Sequence, residues 1–361
     1  MNQIRGKEPG EPMQVFQQLG EHDYEKVVFC NDNDSGLRAI IAIHDTTLGP
    51  ALGGVRMLPY ATEEEALEDV LRLSRGMTYK AAISGVDLGG GKSVIIGDAR
   101  TGKNPALLRA MGRFVDTMAG EYIAGQDIGT NSHDMAVIRG ATRHVACVNE
   151  SAGGAGDPSR TTAYGVSCGI RAVLKATNGS DSIGGRHIVV QGLGNVGYAL
   201  AKFCHEAGAR LTVSEIYRPL AKKAASELDA EVVDADAIYD VECDVFSPNS
   251  IGGVINDNTI ARLRCKAVAG GANNILAEPR HGDELMQRGI VYAPDYLVNS
   301  GGLIRCQEEV FGRPTEDFTI YSKVTQIYDQ TLQVFALAEE LGISTAAAAD
   351  WMAEERIAAA R

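Results

Sequence analysis

The chain has 361 residues, 45% of them apolar, and a formal net charge of −13. That is enough apolar material for two domains with separate cores. No basic stripe offsets the acidity, which argues against a nucleic-acid or anionic-membrane partner. No apolar run approaches the roughly 18 residues of a membrane span, and the polar N-terminus has no signal-peptide core, so the chain is expected to be cytoplasmic.

The first dozen residues, with Gly6, Pro9, Gly10 and Pro12, read as a loose tail. An apolar stretch over 37–43 suits a buried strand. The pattern over 62–76 predicts a helix: Thr62 caps it, Glu65 completes a capping box, and Ala66, Leu67, Val70, Leu71 and Leu73 form an apolar face. A second helix is predicted over 107–118. The glycine-rich stretch 151–158 reads as the linker between domains. Beyond it, strands over 188–191, 211–214, 232–233, 245–246, 267–269 and 291–293 alternate with helical stretches, which predicts a doubly wound parallel sheet. Helices are expected over 320–338 and 344–360, the last returning to the first domain. The expected domains are therefore 1–148, joined by 343–361, and 149–342. The seven cysteines are scattered without a CxxC pair and read as reduced thiols, and the histidines show no metal-binding spacing.

In the second half, the run Ile188-Val189-Val190 leads into Gly192-Leu193-Gly194-Asn195-Val196-Gly197, and Glu215 follows the next apolar run. Strand, glycine turn, helix, strand and carboxylate, in that order, are what a dinucleotide requires. Gly192 allows the turn, Gly194 lets backbone approach the pyrophosphate, and Gly197 lets the helix pack on the strand. Glu215 sits where a carboxylate bonds ribose hydroxyls and repels a 2′-phosphate, which favours NAD over NADP. A flavin site or an ordinary structural turn are the alternatives. Gly270-Gly271-Ala272-Asn273-Asn274 follows a later strand, where side chains reach the crevice that holds cofactors in such folds.

The first half holds two lysines in apolar or small surroundings, Lys80 in MTYKAA and Lys92 after Gly89-Gly90-Gly91. A phosphate-binding loop is excluded at Lys92, because Val86 stands where such a loop needs glycine. Two solvated lysines at loop tips are the plain alternative. A desolvated lysine near a second cation can instead act as a base. Asp127, between Gly125 and Gly129, would supply the counter-charge and proton carrier of such a site.

Assembled, these motifs resemble the Glu/Leu/Phe/Val amino-acid dehydrogenase family, and within it the leucine/phenylalanine dehydrogenase branch. The likeness runs from about Asp23 to the last helix. It rests on the segment His44 to Gly54, MTYKAA, GGGKS, the glycine-flanked Asp127, GLGNVG, GGANN and the segment Tyr292 to Tyr296. The resemblance implies an N-terminal α/β domain for substrate binding, catalysis and oligomerisation, followed by a Rossmann domain for NAD. It implies that Lys80 holds the substrate carboxylate, that Lys92 is the catalytic lysine, and that Asp127 moves protons. Thr162 and Asn273 would seat the nicotinamide. The implied reaction is reversible oxidative deamination of an apolar L-amino acid to its 2-oxo acid, ammonium and NADH, in a homo-oligomer without a metal.

The family's side-chain pocket falls on Leu52, Gly125, Leu303 and Cys306, beside Gly53 and Gly54. Without a basic residue it does not suit glutamate. Leucine and related branched-chain amino acids are the first expectation. Gly125 and Leu303 resemble phenylalanine- or tryptophan-preferring members, which is the alternative. Further departures are Glu215 in place of aspartate, Asn249-Ser250 in place of Cys-Ala, and Arg305 beside the pocket. A catalytically silent NAD-binding regulator is disfavoured because both lysines and Asp127 are present. A 2-hydroxy-acid dehydrogenase is disfavoured because it would want a histidine–acid pair and an arginine.

Overall fold

The computed structural model describes residues 15–149, 151, 154–313 and 315–361. The tail expected over 1–12 lies outside the described residues, as do Ala152 and Gly153 of the expected linker. Contacts divide the chain into two units. The first takes residues up to Thr46, then Pro50–Met77 and Gly89–His144, and the second takes Thr47–Gly49, Thr78–Leu88 and Val145–Arg361.

The first unit runs α1 (Val15–Glu21), β1 (Lys26–Asp32), β2 (Leu37–Asp45), β3 (Ala51–Leu58), α2 (Glu63–Ile83), β4 (Gly89–Ile96), α3 (Pro105–Thr117), β5 (Tyr122–Gln126) and α4 (Ser132–Arg139). Its sheet has the order β1-β2-β4-β3-β5. β1 and β4 both pair antiparallel to β2, whereas β3 pairs parallel to β4 and β5. Ala66, Leu67, Val70 and Leu71 of α2 pack on Ile40, Ala42 and Val94 of the sheet. Thr62 caps the helix as expected, its Oγ1 accepting from Glu65 N–H, but Glu65 Oε2 accepts from Ala61 N–H, one residue before the cap.

α2 does not stop at Gly76 but continues to Ile83, which carries Lys80 in its last turn. Gly76 costs the helix about 1 kcal/mol relative to alanine. Thr78, Ala81, Ala82 and Ile83 beyond it are buried, and that burial sustains the extra turns. The glycine triplet before Lys92 is strand rather than loop. It forms the start of β4, held in register with both β2 and β3.

The second unit opens with α5 (Ser159–Asn178). It then alternates β6 (His187–Gln191), α6 (Asn195–Glu206), β7 (Arg210–Ser214), α7 (Arg218–Leu228), β8 (Glu231–Val232), β9 (Glu242–Pro248), β10 (Arg264–Val268), α8 (Arg280–Gln287) and β11 (Val291–Tyr292). The sheet order is β11-β10-β9-β6-β7-β8, and every pairing is parallel. This is the doubly wound Rossmann-type sheet expected from sequence. Its strand order reverses between β6 and β9, the place where such sheets bind ligands. α9 (Asp295–Val298), α10 (Gly301–Val310), α11 (Asp317–Val324), α12 (Gln326–Leu341) and α13 (Thr345–Ala360) complete the unit.

The single helix expected over 320–338 is two helices, α11 and α12, meeting at Thr325. The Thr325 hydroxyl donates back to the Tyr321 carbonyl and contacts the Tyr164 hydroxyl, a local bond that competes with a continuous ladder. Within the second unit, the final helix packs on the segment Thr78–Leu88. Ala348, Ala349, Ala353 and Ile357 of α13 pack with Ala82 and Ile83, and Arg356 donates to the carbonyls of Ala81 and Ala82. All seven cysteines are free. Among the described residues, no helix is long and apolar enough to cross a membrane.

Candidate functional site

In the first unit the site residues converge on β3, β4 and the end of β5. Lys92 occupies the middle of β4, and its side chain is only 8% exposed. Its ammonium lies 2.8 Å from Oδ2 of Asp127, just beyond β5. The Arg56 Nε–H donates to that same oxygen at 2.9 Å, and Arg56 Nη1 reaches Asp69 Oδ2 at 3.0 Å. Tyr60 donates its hydroxyl to Asp69 at 2.7 Å, and Arg72 donates to the other Asp69 oxygen at 2.8 Å. Burial raises the Asp127 carboxyl, but the charges of Lys92 and Arg56 outweigh it and hold the group at about 2. Burial likewise opposes ionisation of Asp69, yet bonds from Tyr60, Arg56 and Arg72 hold it below the usual range.

Backbone geometry fixes this cluster. Asp127 N–H donates to Thr130 Oγ1, which donates in turn to the Val55 carbonyl, and Lys103 donates to the Gly129 carbonyl. Leu52, Gly54 and Arg56 share one face of β3 through the two-residue alternation of a strand. A Cβ on Gly54 would stand 2.6 Å from the Asp127 Cβ and 3.2 Å from the Lys92 ammonium nitrogen. On Gly53 it would fall 1.8 Å from the Gly91 carbonyl oxygen. Gly125 pairs with Gly54 across β3 and β5, and Leu52 is buried.

In the second unit the glycine turn fits a dinucleotide. Gly192 has a φ of +85°, and a Cβ on Gly197 would fall 2.0 Å from the Gly192 carbonyl oxygen, so the helix can lie against the strand. A Cβ on Gly194 would meet nothing within 4 Å. α6 starts at Asn195 without a capping side chain, which leaves the first-turn amides of Asn195 and Val196 to a phosphate group. Glu215, at the end of β7, accepts from Leu193 N–H and Tyr217 N–H, both at 2.8 Å. Its carboxylate is thereby fixed beside the turn.

Elsewhere in this unit the Lys80 ammonium donates to Asn299 Oδ1 at 2.6 Å, and the Asn299 amide donates to Asn273 Oδ1 at 2.9 Å. Asn273 precedes Asn274, a non-glycine residue in the left-handed region at φ +53°. The next amide, of Ile275, donates to Asp295 Oδ2 at 2.6 Å. Thr162 lies in the first turn of α5, and a Cβ on Gly302 would approach its Oγ1 to 2.7 Å. Leu303 and Cys306 are buried one turn apart on α10, and Cys306 shares a thiol hydrogen bond with Cys147. Arg305 donates to the Ala155 carbonyl and pairs with Asp317. Asn249 bonds Ser247 and accepts from Gly271 N–H, tying the ends of β9 and β10 together.

Among the described residues, Asp257, His281 and Glu284 bring metal-type ligand atoms together. Arg280 already bonds both carboxylates there, so a guanidinium fills the position a metal would take.

Residues 24–144 match the model of the Glu/Leu/Phe/Val dehydrogenase dimerisation domain, and residues 153–217 and 212–361 match that of Glutamate/Leucine/Phenylalanine/Valine dehydrogenase. The chain belongs to the Glu/Leu/Phe/Val dehydrogenase family. It is 52% identical over 345 residues to the leucine dehydrogenase of Thermoactinomyces intermedius, covering 96% of this chain and 94% of that one. It is 47% identical over 364 residues to the phenylalanine dehydrogenase of Bacillus thermotolerans, covering 99% and 94%. The crystal structure of L-tryptophan dehydrogenase from Nostoc punctiforme superposes with a TM-score of 0.83 at 41% identity, covering 96% and 99%. The protein is an amino-acid dehydrogenase, an oxidoreductase.

Sequence reasoning missed three residues of this dehydrogenase: Arg56, Asn299 and Asp295 as a polar anchor. Arg56 stands two positions beyond Gly54, the strand alternation that could have flagged it. Asp295 lies in the segment Tyr292 to Tyr296 that the family likeness singles out, but nothing in local spacing marks its bond to backbone, nor Asn299.

Burial pushes the Asp295 carboxyl up to about 6 from its ordinary value of 3.8, against the lowering by the amides of Ile275 and Tyr296 and by Lys80. The folded state therefore holds this proton more tightly than the unfolded chain does. The stabilising contribution is complete below 3.8 and is lost as pH rises through about 6. Asp295→Asn, neutral throughout, should gain on the parent by on the order of 3 kcal/mol between about pH 4 and about pH 7.5. Denaturant midpoints measure this, and parallel pH curves for the two proteins would rule it out.

Proposed function

We propose that this enzyme catalyses the reversible, NAD-dependent oxidative deamination of leucine and related branched-chain L-amino acids. The observation that carries the reading is the buried Lys92–Asp127 ion pair at 2.8 Å. Such a pair can move a proton between substrate, water and the buried carboxylate in a site that excludes bulk water. The leucine dehydrogenase relatives support the choice of substrate.

NAD held at the Gly192–Gly197 turn would supply the acceptor for the hydride of the amino acid's Cα. The chain's own residues do the rest. Lys80, oriented by Asn299, holds the substrate carboxylate. Lys92 accepts a proton from the water that adds to the iminium carbon, and Asp127 carries protons to and from the lysine. Collapse of the carbinolamine releases the 2-oxo acid and ammonium. Leu52 and Gly125 offer the side chain apolar or small groups from the first unit. Thr162 and Asn273 seat the nicotinamide, and Glu215 takes the adenosine ribose hydroxyls. We assign residues 1–148, with 343–361, to substrate binding and assembly, and 149–342 to the dinucleotide. A homo-oligomer is proposed on the dimerisation-domain match and on the exposed Phe29 of edge strand β1.

NADH formation followed across leucine, valine, phenylalanine, tryptophan and glutamate tests the assignment. Leucine or valine should lead, and phenylalanine or tryptophan in front would replace the substrate but keep the chemistry. Lys92→Ala should abolish deamination while NAD binding, followed by fluorescence, is kept. Turnover near that of the parent would sink the lysine mechanism.

Glu215→Gln should narrow the preference for NAD over NADP by about tenfold or more, the size of a close charge repulsion in a partly solvated site. Equal efficiency with both cofactors in the parent would place the carboxylate's role elsewhere.

Gly125→Ala should penalise phenylalanine more than valine by about 1–3 kcal/mol in transition-state binding, the range for a methyl-sized misfit. The ratio of their kcat/KM values reads this out. An unchanged ratio removes Gly125 from the pocket.

A further inference from the structure

The lysine–aspartate pair has a third member that the reaction described above does not use. Arg56 and Lys92 approach the same oxygen, Oδ2 of Asp127, at 2.9 and 2.8 Å. Side-chain exposure is 11% for Arg56 and 15% for Asp127, so neither ion is relieved by bulk water. The guanidinium is bidentate in a particular sense. Its Nε edge holds Asp127, while Nη1 holds Asp69, itself fixed by Tyr60 and Arg72. The arginine is thus anchored from behind and presents a fixed charge to Asp127.

Count the charges around the proton. With Lys92 protonated, three cations, Lys92, Arg56 and Arg72, face two carboxylates, Asp127 and Asp69, and of the three Lys92 and Arg56 touch Asp127. When Lys92 is neutral and ready to accept a proton, Asp127 still has a cation. Without Arg56 that same step would leave a buried carboxylate uncompensated, and the pair would resist it. We propose that Arg56 is a positioning residue of the proton-transfer site: it shares Asp127 with Lys92, so the carboxylate keeps a cation whenever Lys92 releases its proton. The other titratable or charged groups facing the cluster are Tyr122 of β5, and Lys103 at the Gly129 turn. Tyr122 donates to the Gly53 carbonyl, and Lys103 pairs with Asp134, so neither stands in for the arginine.

The inference rests on the reading of Lys92 as the base. Its test is the pH profile of kcat/KM for amino-acid deamination in the parent, Arg56→Met and Arg56→Lys, with Lys92→Ala alongside. In Arg56→Met the acid-side midpoint should rise by about one pH unit or more, with much of the rate recovered at high pH, since a neighbouring charge at this range moves an ionisation by that much. Arg56→Lys, which restores the charge but not the planar fork, should return the midpoint toward the parent. A loss by the same factor at every pH in Arg56→Met overturns the proposal, because that is what a merely structural role produces. Should Arg56→Met fail to fold, Asp69→Asn decides: it keeps Arg56 and removes its other anion, so the midpoint stays or falls. A rise in that variant overturns the proposal. An active Lys92→Ala protein would instead overturn the reading of the base, which separates the two failures.

Discussion

The chemistry of the first unit depends on one oxygen atom, Oδ2 of Asp127, which receives Lys92 and Arg56 together. Desolvating a carboxylate costs several kcal/mol, so such a group survives inside a fold only with cations held at good geometry. Here the sheet supplies the geometry. Parallel pairing of β3 with both β4 and β5 puts an arginine, a lysine and a strand-terminal aspartate from three strands within ion-pair distance. Holding Asp127 at about 2 rather than 3.8 favours its ionised form by about 2 kcal/mol. That contribution is present above 3.8 and lost only as pH falls through about 2. At neutral pH the resting carboxylate is therefore ionised, with both oxygens available as acceptors.

The second unit works by a different rule. Its ordering device is an amide, Asn299, which accepts from Lys80 with one atom and donates to Asn273 with the other. An asparagine side chain is suited to this, being donor and acceptor at once without a charge of its own to be neutralised. The buried carboxyl nearby, Asp295, is spent on backbone. It fixes the amide of Ile275 just after the left-handed Asn274, where the turn would otherwise relax. Glu215 is treated the same way, with each carboxylate oxygen taken by an amide. Asp295 and Glu215 thus hold loops in shape, whereas Asp127 in the first unit holds charge.

That contrast explains what the sequence could disclose. The six parallel strands were legible because each is a short apolar run bounded by turn residues, and the glycine turn because strand, helix and acid flank it at fixed spacing. Lys92, Asp127 and Lys80 stood out through their small or apolar neighbours. Arg56 did not, because its partner Asp127 lies 71 residues away and only the sheet brings them together. Asn299 is 219 residues from Lys80. The segment 89–91 was misleading for a different reason. Three glycines signal a loop, since glycine weakens a strand, yet here pairing on both edges outweighs that preference.

The reason for glycine in that strand is space. A Cβ on Gly91 would stand 2.8 Å from the ring of Tyr122, whose hydroxyl donates to the Gly53 carbonyl. Tyr122 is fully buried beneath the site, and its ring needs the volume that a side chain at 91 would fill. Gly54 serves the opposite side, where a side chain would crowd the Lys92 amine and the Asp127 methylene. The sheet thus gives up strand propensity at two adjacent positions to keep an aromatic support on one side of the lysine and an open amine on the other. A lysine on an exposed loop would need no such concessions, and its placement in a glycine-lined strand is what makes a buried amine beside Asp127 possible.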